Sequence, residues 1–140
     1  MSELGPHTTV NLPPPRTFVA VVERTKSLYR LWLPVRRNMA RDERFGIGAR
    51  IDALLLDLLE ILRKASFVDT ISKPGLLGSA IGIADSLRFF LQIAWESKLI
   101  STIQYGELAN IVEEVGRMTG GWRKGILNKT PLTGSRERKE

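Results

Sequence analysis

The stretch Lys73–Lys98, KPGLLGSAIGIADSLRFFLQIAWESK, is apolar over more of a helix's circumference than one core can use. Leu77, Ala80, Ala84, Leu87, Leu91 and Ala94 recur every three or four residues and line one face. Asp85, Arg88, Gln92 and Glu96 form a polar stripe at the same spacing. Ile81, Phe89 and Ile93, with Trp95, fall partly outside the first stripe. Such a helix packs into its own bundle and offers its surplus apolar surface to another chain.

Three further segments share this periodicity. The first helix is predicted from Arg16 to about Met39. Phe18, Val21, Val22, Leu28, Tyr29, Trp32, Val35 and Met39 form its stripe, and Glu23, Lys26, Ser27 and Arg30 face away. Pro34 inside that stripe is expected to kink or split it. Ala40–Gly48 reads as a turn or a frayed helix start. The second helix spans roughly Arg44 to Phe67, with Ile47, Ile51, Leu54, Leu58, Ile61, Leu62 and Ala65 toward the core. Leu55, Leu56 and Leu59 widen its stripe, and Arg50, Asp57, Glu60 and Lys64 mark its water side. Pro74 suits the first turn of the third helix, where a missing N–H is harmless. Gly75, Gly78, Ser79 and Gly82 make that end thin and are read as close approach of a neighbouring helix, because neither phosphate-loop spacing is present. Ser101 with Gln104 is a capping box for the fourth helix. Leu108, Ile111, Val112, Val115, Met118 and Trp122 are its apolar face, interrupted by Gly120 and Gly121, and Pro131 stops it.

No segment alternates as a strand. The fold expected is therefore all-α, an antiparallel up-down four-helix bundle. Residues 1–15 form an extended proline-rich arm, 16–128 the bundle and 129–140 a basic flexible tail. At 140 residues, 43% hydrophobic and 26% charged, the chain is long enough for a real core and is globular in composition. It has no cysteine, which removes disulfides, thiolate metal sites and thiol nucleophiles together. No uninterrupted apolar run reaches about 18 residues and the N-terminus lacks signal-peptide order, so no membrane span and a cytoplasmic location are expected.

The chemistry available points away from catalysis. The one histidine, His7, lies in the arm. Asp57 and Glu60 lack the Glu-x-x-His partner of a di-metal bundle and read as solvated charges. No nucleophile-elbow or zinc-protease spacing occurs. No metal and no cofactor is expected, and binding is the function class that remains.

The net charge of +6 is clustered. Arg36, Arg37, Arg41, Arg44 and Arg50 against Asp42 and Glu43 leave +3 between residues 36 and 50, and seven basic residues against two acidic ones leave +5 from Arg117 onward. That clustering suits a polyanion; a solvated rim with a basic tail is the plainer alternative. The candidate phosphate contacts are Arg36, Arg37, Arg41, Arg44, Arg50, Arg88, Arg117, Arg123, Lys124 and Lys129. In an up-down bundle they make two separate patches, which Arg50, Arg63 or Arg88 can join and closed oligomerisation can align. Arg88 has three readings: interface anchor, phosphate contact or solvated charge. The candidate contacts to a copy or partner are Leu56, Leu59, Ile81, Phe89, Ile93 and Trp95.

Leu87-Arg88-Phe89-Phe90-Leu91, followed by Glu114-Val115-Gly116-Arg117-Met118-Thr119-Gly120-Gly121-Trp122, resembles the accessory variability determinant (Avd) family of diversity-generating retroelements. That family is related to four-helix-bundle proteins encoded in intervening sequences of 23S ribosomal RNA genes. The resemblance covers about Arg16 to Asn128. It implies a homopentameric barrel whose basic surface binds nucleic acid, and a partner reverse transcriptase that copies template RNA into mutagenic cDNA. Carried over by position, Arg88 and Arg117 would be structural or binding arginines and Trp122 a packing residue. The alternative function is an oligomeric bundle of the intervening-sequence kind, binding RNA or acidic protein without a reverse transcriptase.

Overall fold

The computed structural model describes residues 16–129, with side chains from residue 20 onward. The proline-rich arm, His7, the Phe18 side chain and the segment from 130 to 140 lie outside the described residues. The described residues form four long helices and one short one: α1 (Arg16–Arg37), α2 (Arg41–Phe45), α3 (Ile47–Ala65), α4 (Lys73–Glu96) and α5 (Thr102–Lys129). No strand occurs among them. α1 and α4 each pack against α3 and α5, so the long helices close a ring in the order α1, α3, α4, α5. Along α4 and α5 the pairings run in opposite order: Pro74 with Arg123, Arg88 with Glu113, Trp95 with Thr102.

The six α4 positions of the predicted stripe are all buried, and they meet Leu54, Leu55, Leu58 and Leu62 of α3 and Leu108, Val112 and Val115 of α5 in one core. Leu55, read from the sequence as surplus, belongs to that core at 2% exposure, whereas Leu56 stays 45% exposed. Two core positions are polar. Thr25 and Thr119 are buried because each hydroxyl donates to the carbonyl four residues back, Val21 at 2.8 Å and Val115 at 2.7 Å. The hydroxyl is thereby satisfied within its own helix.

Pro34 does not split α1, which continues to Arg37. The proline falls in the last turn, where the carbonyl left without an N–H partner belongs to exposed Arg30 and can reach water. The second helix divides at Gly46 into α2 and α3. Gly48 allows this join, since a Cβ there would stand 3.0 Å from the Glu43 carbonyl oxygen and 3.3 Å from the Met39 sulfur. The glycines of α4 do not mark a close helix approach as expected. A Cβ on Gly75 or Gly82 would meet nothing, and one on Gly78 would meet only the Arg123 guanidinium at 3.4 Å. Gly120 and Gly121 are equally open. The bundle also extends one residue past its expected end, through Lys129.

α4 ends at Glu96, two residues before the predicted boundary. Lys98 takes a left-handed conformation, φ 61°, and the Leu99 N–H reaches back to the Ala94 carbonyl at 2.8 Å. This is a Schellman stop with lysine where glycine is usual. The capping box of α5 forms: Ser101 Oγ accepts the Gln104 N–H at 3.0 Å, and Gln104 Oε1 accepts the Ser101 N–H at 2.9 Å. Ser101→Ala is expected to lower stability by about 1 kcal/mol, read as a shift of the urea midpoint at unchanged slope; no shift would show that the box is idle.

By length and composition alone α4 is able to cross a membrane, with a mean hydropathy of 1.3 over its most apolar 18 residues. Its buried face is committed to α3 and α5, and its Arg88 pairs with Glu113 of α5. Of its remaining apolar side chains, Leu76, Ile83 and Phe90 pack half-buried against the core, and Phe89 above all is left on the outside of the bundle.

Candidate nucleic-acid interface

The ten basic candidates separate by what their charged groups touch. Arg36, at the end of α1, turns inward. Its Nε and Nη2 both donate to the Arg44 carbonyl at 3.2 Å, and Nη1 lies 3.5 Å from Asp52 Oδ2. Arg123 donates from Nε to the Pro74 carbonyl at 2.9 Å, tying α5 to the start of α4. Arg88 is held between two carboxylates, Asp85 and Glu113, each at 2.6 Å. The bond to Glu113, followed by the charges of both acids, raises the Arg88 pKa above its ordinary value against the opposing effect of burial. These three guanidinium groups have partners within the fold.

The others form no ion pair among the described residues. Arg37, Arg41 and Arg50 are exposed around the α1–α3 connection. Arg44 donates to the Arg37 carbonyl at 3.2 Å, so that one guanidinium braces the join while its charge stays uncompensated. Arg41 and Arg44 lie 6.0 and 5.5 Å from the centre of the Phe45 ring, and Arg50 lies 5.8 Å from that of Phe90. Lys124 and Lys129 are exposed late in α5, where Lys129 shares a cleft with Lys73, Thr70 and Trp122. Arg63, considered as a link between patches, is paired with Glu60 at 2.7 Å.

The two arginines singled out by resemblance come together. Arg88 and Arg117 line one shallow cleft between α4 and α5, with Ile81, Ala84, Asp85, Val112, Glu113 and Gly116. Arg88 is neutralised there and Arg117 is exposed. Trp122 is 8% exposed in the core. Glu114, from the same segment, pairs with Arg24 of α1 at 2.8 Å.

The apolar candidates also divide. Leu56 and half-buried Leu59 line a groove between α1 and α3 with Val22, rimmed by Lys26, Asp57, Glu60 and Arg63. Phe89 is 59% exposed on α4, edge-on to Phe90. Ile81 and Ile93 are half-buried and stand outside the core cluster. Trp95 is committed locally: it stacks on Tyr105 at 4.8 Å and donates to Thr102 Oγ1 at 3.1 Å.

Two residues escaped the sequence reading. Asp52 accepts hydrogen bonds from the Tyr29 hydroxyl at 2.9 Å and the Trp32 indole N–H at 3.1 Å, besides facing Arg36. Burial first, and then the hydrogen bond to Asp52, push the Tyr29 phenol above its ordinary pKa. Phe45 is 64% exposed between two arginines; an aromatic residue directly after the basic run was the available signal. Among the described residues no three metal-capable side chains converge. No protein-family model, no curated protein and no solved structure matches the chain.

Proposed function

We propose that this chain is a non-catalytic accessory subunit of the Avd kind. It would assemble with copies of itself, as a pentameric barrel of up-down antiparallel bundles, and hold template RNA or its cDNA for the reverse transcriptase of a diversity-generating retroelement in the cytoplasm. The observation that carries the binding part is the set of exposed cations around the α1–α3 connection, Arg37, Arg41 and Arg50, which lack carboxylate partners among the described residues. Uncompensated arginines on a rigid helical surface attract phosphates and release their counterions. The opposite order of pairings along α4 and α5 supports the antiparallel reading. The pentamer and the reverse transcriptase rest on the LRFFL and EVGRMTGGW segments.

Assembly has its own support. The Leu56 groove lies between α1 and α3, and the Arg88–Arg117 cleft lies between α4 and α5, on the opposite side of the helix ring. Two different surfaces on opposite sides suit a head-to-tail contact, which closes into a ring when the rotation permits.

The inward turn of Arg36 decides which variant tests binding. Arg36→Glu would disturb the fold through Asp52 and Arg44, so the informative pair is Arg37→Glu with Arg41→Glu. With labelled RNA in an anisotropy titration, the pair is expected to weaken binding at least about tenfold. It should also reduce the slope of log affinity against log salt by about 1.4, two single-strand phosphate contacts at about 0.7 each. Unchanged affinity and slope would overturn phosphate recognition at this surface. Co-purification with a reverse transcriptase encoded beside this gene separates the accessory-subunit reading from the ribosomal-RNA one.

A further inference from the structure

α2 contributes no buried side chain, yet the chain anchors it firmly. Arg36 grips the Arg44 carbonyl through two N–H groups, Arg44 grips the Arg37 carbonyl, and Gly48 lets the backbone of α3 pass close to Glu43. These contacts hold the backbone that carries Phe45, whose phenyl ring stays 64% exposed with the Arg44 guanidinium 5.5 Å and the Arg41 guanidinium 6.0 Å from its centre. A ring this exposed forgoes most of the stabilisation that burial would provide. The bundle core does not use it.

We propose that Phe45 is a stacking platform for one unpaired base of a single-stranded nucleic acid, with Arg37 and Arg41 meeting the phosphates on either side. The inference rests on the nucleic-acid reading above and specifies the strand it takes. An aromatic face set among cations matches a nucleotide in both its parts, base and phosphate. In a duplex the base faces are covered by their neighbours, so the phenyl ring would have nothing to stack on. The same patch of a second copy fits poorly, because Arg37, Arg41 and Arg44 would confront their own like charges, and the head-to-tail contact proposed above uses other surfaces, the Leu56 groove and the α4 side. Arg44, held by the Arg37 carbonyl, stands 5.5 Å from the ring centre, and Arg41 is free of any ion pair among the described residues.

The test uses the full chain with labelled oligouridylate, oligothymidylate and an RNA duplex. Phe45→Ala is expected to weaken binding of both single strands about tenfold, the loss of one base–aromatic stack, while duplex binding and assembly mass stay unchanged. Phe45→Tyr should bind single strands as the wild type does. Ultraviolet crosslinking of the wild-type protein to oligothymidylate should map to the peptide carrying Phe45, a readout that survives even if the alanine variant folds badly. Wild-type single-strand affinity in Phe45→Ala, equal losses on single strand and duplex, a changed assembly mass, or a crosslink confined to other peptides would each overturn the platform. If Phe45→Ala binds normally while the Arg37, Arg41 pair of substitutions abolishes binding, the platform alone falls. If the wild type binds none of the three probes, the nucleic-acid reading falls with it.

Discussion

Asp52→Ala is expected to lower the unfolding free energy by about 3 kcal/mol. Its carboxylate is only 15% exposed and joins α1 to α3 through three groups. Trp32 is fully buried, so its N–H loses its acceptor and gains no water, at about 1–3 kcal/mol. Arg36, 25% exposed, keeps its bonds to the Arg44 carbonyl but loses its counter-charge. Asp52→Asn retains an acceptor oxygen and should lose roughly half as much. A urea titration followed by circular dichroism checks this, and a Trp32→Phe, Asp52→Ala double-mutant cycle isolates the indole bond at about 1 kcal/mol. A loss for Asp52→Ala below about 0.5 kcal/mol would mean that the network does not tie the helices.

The same network carries a pH signature. The Tyr29 phenol is raised from its ordinary 10.0, by burial first and by Asp52 second. A group raised in the folded state contributes stability that is intact below the unfolded pKa and lost as pH rises through the folded one. Stability should therefore decline above about pH 10, and less steeply in Asp52→Ala, where only burial remains to hold the phenol up.

What the sequence made legible was local. The four long helices follow from apolar spacing within each segment, and the Ser101–Gln104 box from two residues three apart. Each of these signals closes on itself within a turn or two. What escaped it depends on distance. Asp52 meets partners 20 and 23 residues away, and nothing in ALLLDLL marks a neighbouring acid as half-buried. Arg36 and Arg123 read as surface charges because the sequence shows the cation and not the end point of a long flexible stem. In the fold each stem turns toward a backbone carbonyl, one 8 and the other 49 residues away. Thr25 and Thr119 interrupt their stripes as polar letters, yet both are buried, since a hydroxyl returned to its own helix presents a methyl to the core. The glycines failed for the opposite reason. Their small size implied a neighbour, and among the described residues most of them face open space.

A charge on either outer apolar patch should dissociate the proposed assembly. Leu56, 45% exposed in the α1/α3 groove, and Phe89, 59% exposed on α4, are the two most exposed of the apolar candidates. If each is buried against a neighbouring copy it contributes about 1.5–3 kcal/mol. Glutamate in its place loses that contribution and adds the desolvation of a carboxylate. Each contact is then expected to weaken at least about 100-fold, so Leu56→Glu and Phe89→Glu should sediment as monomers where the wild type does not. Helix content should be unchanged, because neither side chain belongs to the core. Mixing the variants distinguishes the geometry. In a head-to-tail ring Leu56→Glu keeps a sound α4 surface and Phe89→Glu keeps a sound α1/α3 groove, so the mixture makes one intact contact and stops at dimers. In a contact that pairs the same patch on both copies, Leu56→Glu would break one patch and leave Phe89 paired with Phe89, giving dimers of that variant without mixing. A wild-type protein that sediments as a monomer, or variants that keep the wild-type mass, would remove the assembly from the proposal and leave the arginines of the α1–α3 connection to bind nucleic acid from a single bundle.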